Sequence, residues 1–309
     1  MRRTDQLILA SRRSTENQEY TATAGVQDEE FIQYLNDGQE EIQSLINSSF
    51  PRILMKEGVI QVVQNQEAYS LPVDVFLGTR LDYVEYSPSG NSADYYTLKK
   101  GTLKERLNGP SGNPSFYIRR NSELLIQPIP QQAGLLRVNY QKVIPRLDVR
   151  RATVLNVVLG TNTITTLTLD IAEAIDSDAL LSENYVTVVD KNGVVKMRSI
   201  PVTAIDTSTG VVTVDPSFTF SAGETIAAGD YLLRGTYSTT NSQLPEICEK
   251  YLLEYCNLRI LIRDSSTDAN QVQAIMSKVQ QTLQANFADV DSDPDYVPIL
   301  DGSFLGWDY

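Results

Sequence analysis

The chain contains no histidine. That absence removes the commonest general base at neutral pH, the commonest metal ligand and every nucleophilic triad that works through an imidazole. Cysteine is nearly absent too: Cys248 and Cys256 are the only two. They fall in what reads as one helix, where their spacing corresponds to about 12 Å of rise. A disulfide requires Cα atoms within about 7 Å, so the pair is expected to be small buried hydrophobes, and without histidine a zinc site is not expected. No apolar run approaches the roughly 18 residues of a membrane span. The opening MRRTDQLILASRRSTENQEY lacks the apolar core and cleavage site of a signal peptide, so synthesis in the cytoplasm is expected. Basic residues are outnumbered, 26 against 39 acidic, for a net charge of −13. General affinity for nucleic acid is therefore not expected, because phosphate binding is driven by Lys and Arg. A wall of like charge still lets a duplex slide past without adhering.

What is present is ordinary for a folded protein. In 309 residues, 41% are hydrophobic and 21% charged, which fits a globular chain long enough for two domains. The stretch DEEFIQYLNDGQEEIQSLINSSFP places Phe31, Leu35, Gly38, Ile42 and Leu45 at helical spacing, with Asp28 as a plausible cap and Pro51 as a stop. Thr4 to about Arg13 reads as a short separate helix. From about Gly58 the pattern changes to strands, in VIQVVQ, AYSLPVDV and FLGTRLDYVEYS. The cluster GPSGNP reads as a turn, and Pro128 and Pro130 confine the strand before them to an edge or an end.

Residues 151 to 236 differ in composition. Two hairpin signals, DKNG at 190–193 and TSTG at 207–210, lie between Val-rich arms, and no helical stripe exceeds two turns. An all-β barrel or sandwich is expected there. Helical periodicity then returns, first with Leu244, Ile247, Tyr251, Tyr255, Leu258 and Ile262, then with Val272, Ile275, Val279, Leu283 and Phe287. The expected fold is α+β: an antiparallel helical bundle with a small sheet from residues 1–150 and 237–288, interrupted by an inserted β-domain at 151–236, with a tail at 289–309.

Chemistry is sparse. GPSGNP lacks the Gly-Lys-Ser/Thr ending of a phosphate-binding loop. The carboxylate pairs Glu29–Glu30 and Glu40–Glu41 fall on the solvated side of an amphipathic helix. Asn47-Ser48-Ser49 matches a glycosylation sequon, which has no meaning without secretion. Arg2, Arg3, Arg12 and Arg13 read either as a contact for an acidic partner or nucleic acid, or as a solvated terminus balancing an acidic chain; the second reading is favoured. No catalytic residue, metal site or cofactor is expected.

The end of the chain has the sharpest pattern. After Lys278 there is no Lys or Arg, while Asp289, Asp291, Asp293, Asp295, Asp301 and Asp308 add negative charge. DVDSDPD is expected to be an extended, mobile spacer. Beyond it YVPILDGSFLGWDY restores an apolar cluster with the only tryptophan, Trp307. Such a segment either folds back on its own core or is captured by another chain.

The run RRSTENQEYTATAGVQDEEFIQYLNDGQEEIQSLI, with AYSLPVDVF, LKERL, SGNPSFYI, IQPIP and LLRVNYQK, resembles head-to-tail adaptor proteins of tailed bacteriophages, especially short-tailed ones. The resemblance covers residues 4 to about 150 and, more loosely, the helices from 244 to 287. It implies a structural protein of the virion neck and no enzyme, with about twelve copies closing a ring under the portal. The implied partners are the portal protein, a downstream tail or nozzle protein and further copies of the chain. Genomic DNA would pass through the lumen without specific binding, and no membrane is involved. The C-terminal segment occupies the place of a portal-clasping extension, which assigns portal contact to Tyr296, Val297, Pro298, Ile299, Leu300, Phe304, Leu305, Trp307 and Tyr309. The β-block exceeds a minimal adaptor; a fibre-attachment or receptor-binding module acting through it is the alternative.

Overall fold

The computed structural model describes residues 2–15, 25–76, 81–91, 93–106, 111–220, 224–264 and 270–291. The chain divides into two compact units, residues 44–143 with 280–309, and residues 1–43 with 144–279. The fold is mixed α+β, with five α-helices among the described residues and one closed six-stranded barrel.

The unit built on residues 44–143 holds two four-stranded sheets. In the first, β1 (Met55–Val62) pairs with β10 (Gly134–Gln141), which pairs with β3 (Val84–Ser87) and that with β4 (Tyr96–Thr97), antiparallel throughout. In the second, β2 (Ala68–Ser70), β8 (Glu123–Gln127), β7 (Phe116–Arg120) and β5 (Lys99–Lys100) follow in that order. The expected turn carries a short strand, β6 (Ser111–Gly112), parallel to β9 (Ile129–Pro130). Strand β8 sits inside its sheet and stops at Gln127, immediately before Pro128, so the proline marks an end and not an edge. Alternating residues of these strands meet in one core that includes Leu124, Ile126, Leu136 and Val138, with Tyr86 and Tyr140 as its largest fully buried members. Each such aliphatic side chain contributes about 1.5–3 kcal/mol on burial.

In the other unit, β11 (Arg146–Leu147) and β18 (Ser238–Thr239) run parallel and zip together the chain entering and leaving the barrel. Between them, β12 (Ala152–Leu159), β13 (Ile164–Leu169), β14 (Tyr185–Val189), β15 (Val195–Asp206), β16 (Val211–Val214) and β17 (Tyr231–Arg234) close in the order β12-β13-β16-β15-β14-β17. Both expected hairpins are present, and their turns end on Gly193 (φ +79°) and Gly210 (φ +71°). The barrel is filled by Val154, Leu167, Leu169, Val186, Val188, Ile200 and Leu232. Among the described residues of the block the one α-helix is the five-residue α3 (Ser177–Leu181), capped by Asp176.

Helices α1 (Thr4–Ser14), α2 (Asp28–Ser49), α4 (Glu246–Asp264) and α5 (Asn270–Asp291) follow the expected stripes. Helix α1 packs on α4, where the Ser11 hydroxyl donates to Asn257 Oδ1 at 2.5 Å. On α2, Phe31, Leu35 and Ile42 are fully buried, joined by Ile32 and Ile46, while Leu45 is half-buried. Gly38 lies against α4 so closely that a Cβ there would stand 2.7 Å from Tyr255 Cδ1. These contacts show helices packed in pairs within a fold that is α+β with a closed barrel. The acidic stretch is corrected in part. Helix α5 continues to Asp291, because the chain offers no breaker before Pro294, which disfavours the helical conformation at the residue preceding it. Asp289 and Asp291 are therefore helical, not extended.

Candidate functional site

Among the described residues no three carboxylate or cysteine side chains gather in a way that could hold a metal ion. The cysteines are free and buried, and burial pushes their thiols up to about 11 for Cys248 and about 12 for Cys256, so neither supplies a thiolate at neutral pH. No described helix is long and apolar enough to cross a membrane.

The densest polar constellation sits where α2 meets the base of the barrel. Arg151, one residue before β12 and 5% exposed as a side chain, donates from Nε (3.1 Å) and Nη2 (2.7 Å) to Asp148 Oδ1. Its Nη1 reaches Asp176 Oδ2 at 2.7 Å and Glu29 Oε1 on α2 at 2.6 Å. The second Asp148 oxygen accepts the Arg234 backbone N–H at 2.9 Å, and Arg234 Nη1 lies 2.9 Å from Glu29 Oε2. Burial pushes the Asp148 carboxyl above the usual aspartate range despite its guanidinium bonds. Burial works against the charge on Arg151, but Asp148 and Glu29 outweigh it and hold the guanidinium firmly protonated. Glu29 is on the solvated side of α2, as expected, and from there also clamps two arginines of the barrel. The network mounts the barrel on the helix and leaves no free group aimed at a substrate.

A second polar row runs along α2. Asn36 exchanges two hydrogen bonds with the backbone of Leu147, donating to its C=O at 3.0 Å and accepting its N–H at 2.7 Å. Gln39 donates to Pro145 O at 2.9 Å, and Gln43 accepts the Ile144 N–H at 3.4 Å. The α2 amides take the backbone groups of Ile144, Pro145 and Leu147 that the pairing of β11 with β18 leaves open, since such groups must be satisfied once buried. In the other unit, Asp74 holds Lys56 Nζ at 2.7 Å and the Tyr140 hydroxyl at 2.7 Å. Burial raises its carboxyl, yet those two bonds together hold it below the ordinary value.

The basic opening is not simply solvated. Arg12 is buried, bonds Asp28 at 2.5 Å and stacks its guanidinium 4.6 Å from the Phe31 ring centre, while Arg3 pairs with Asp5 at 2.9 Å. A cleft of about 210 Å³ opens nearby, lined by Arg3, Asp5, Asp148 and Arg150, whose charges already bind Asp5, Arg3, Arg151 and Glu173 respectively. The residues expected to contact the portal, Tyr296 to Leu300, Phe304, Leu305, Trp307 and Tyr309, lie outside the described residues.

A family model described as SU10 adaptor protein matches residues 4–159. The matched segment runs from the start of α1 through both sheets to the end of the first barrel strand, just over half of the chain. No curated protein was found to match the chain.

Proposed function

This chain belongs to the SU10 adaptor protein family, and on that premise we propose that it forms a ring beneath the phage portal that extends the DNA channel and joins the capsid to the tail. The observation that carries the reading is the family match across α1, α2 and the sheet unit. On this reading α1, α2, α4 and α5 form an antiparallel bundle, and about twelve copies pack side by side around a closed axis. The lumen is acidic, in keeping with a net charge of −13 on each copy, so that DNA slides without gripping the wall. The tail from Tyr296 to Tyr309 reaches the portal, with Phe304 and Trp307 as its anchoring side chains. The protein is structural, placed in the virion neck, and its lower face meets the tail or nozzle protein.

The test is portal capture. The full chain should retain purified portal protein, and a chain cut after Val290 should lose it. Full retention by the truncated chain would overturn the tail assignment.

One observation favours a second role beside the first. Most of the barrel lies beyond the matched residues, and Leu155, Val158 and Val211 stand exposed on it. A fibre-attachment or receptor-binding role for the barrel predicts that the purified chain binds tail fibres or host cells. Absence of both interactions would retire it.

A further inference from the structure

The acidic excess of the chain reverses sign in the sheet unit around β5. Between Tyr96 and Arg120 there are six basic residues, Lys99, Lys100, Lys104, Arg106, Arg119 and Arg120, against the single acidic Glu105. Folding neutralises part of this cluster, since Arg106 is held by Glu67 and Arg120 by Glu123, both at 2.5 Å. Lys99, Lys100 and Lys104 have no acidic partner among the described residues. Lys99 and Lys100 form β5, the edge strand of its sheet, and Lys104 follows on the next short turn. All three are exposed, and so is Leu103, at 59%, beside Lys104. The result is a basic strip of chain, residues 99–104, that carries three exposed lysines and the apolar Leu103 and is followed by Glu105, whose carboxylate is bonded to Thr102.

The end of the chain has the opposite character. After Lys278 it has no basic residue, and its last stretch combines Asp293, Asp295, Asp301 and Asp308 with the apolar YVPIL and FLGW runs.

We propose that this acidic C-terminal segment, residues 292–309, docks on the Lys99–Lys100–Lys104 strip of its own chain. The last turns of α5, from Gln280, belong to the same compact unit as the strip, so the segment departs from the unit that carries its docking surface. A unit of this size has a radius of gyration of about 13 Å, whereas residues 292–309 span up to roughly 60 Å when extended. Every part of that unit's surface is within reach, and a short tether supplies an effective concentration in the millimolar range. Charge complementarity selects the strip, and Leu103 offers the apolar residues a foothold. The contact is weak per ion pair and screened by salt, so another protein can take the segment over. The inference does not depend on the portal reading, because it concerns the isolated chain.

The test compares the acylation rates of individual lysines, read by peptide mass spectrometry, in the full chain and in a variant carrying Asp293→Asn, Asp295→Asn, Asp301→Asn and Asp308→Asn. Lys99, Lys100 and Lys104 should react about threefold faster or more in the variant, while the exposed Lys191 and Lys250 stay unchanged. Carbodiimide should join the strip lysines to the tail aspartates, with a yield that survives tenfold dilution. Equal rates in the two proteins would overturn the proposal. So would cross-links that form between isotopically distinct copies and fade on dilution, which would make a second copy the occupant. Protection that appears only with added duplex DNA would assign the strip to nucleic acid and overturn it as well.

Discussion

Asn36 and Leu147 are bound to each other as two strands would be, the side-chain amide of one donating to and accepting from the backbone of the other. Because Leu147 belongs to the short strand that leads into the barrel, this bond pair fixes that entry to α2. Asn36→Leu strands a buried N–H and a buried C=O together, at a cost of about 2–4 kcal/mol. Chemical denaturation should register it as a lower midpoint with an unchanged slope.

Arg151 predicts a larger effect. Replacing it by Met leaves Asp148 buried without its charge partner, which costs about 3–5 kcal/mol. The double variant Asp148→Leu with Arg151→Met should recover part of that loss, since no unpaired buried charge remains, Asp176 and Glu29 being exposed. Thermal melts of the two variants separate the outcomes, and equal destabilisation would contradict the account of the network.

Gly38 is required by Tyr255 and not by backbone conformation. Gly38→Ala forces the ring to move, and overpacking of this kind costs about 1–3 kcal/mol, more than the helix propensity it gains. Combining it with Tyr255→Leu should cost less than the sum of the two single changes, as measured in a double-mutant cycle.

Asp74 gives a pH dependence of known sign. Its carboxyl is held below the ordinary value in the folded protein, so its contribution to stability is fully present above the unfolded value near 4. It is lost as pH falls through the lower folded value. Denaturation midpoints measured from pH 7 down to pH 2.5 should fall less steeply for Asp74→Asn than for the parent chain.

Much of the fold is legible in local pattern. The Val-rich arms around DKNG and TSTG announce hairpins, and both are present; the spacing of Phe31, Leu35 and Ile42 announces the buried side of α2. What escapes depends on partners distant in sequence. Asn36, Gln39 and Gln43 carry no local signal of burial, yet they are buried because they bond the backbone groups of residues 144, 145 and 147 that β18 leaves open. Glu29 is exposed as its pattern announces, but its pairing with Arg151 and Arg234 of the barrel depends on residues more than a hundred positions away. Arg12 reads as a terminal charge and is buried on Phe31. Barrel closure is equally hidden, since β12 pairs with β17 across the length of the block. The tail is legible as a pattern of charge and apolar residues, and its role rests on the family resemblance.

On the proposed function the chain forms a ring in the neck, between portal and tail. Cryo-electron microscopy of the intact particle, with this chain fitted into the neck density, tests it most directly. The expected density is a closed ring of copies beneath the portal, with the barrels in regular array and residues 296–309 running against portal subunits. Density that placed the chain on fibres alone, or a neck without it, would contradict the account.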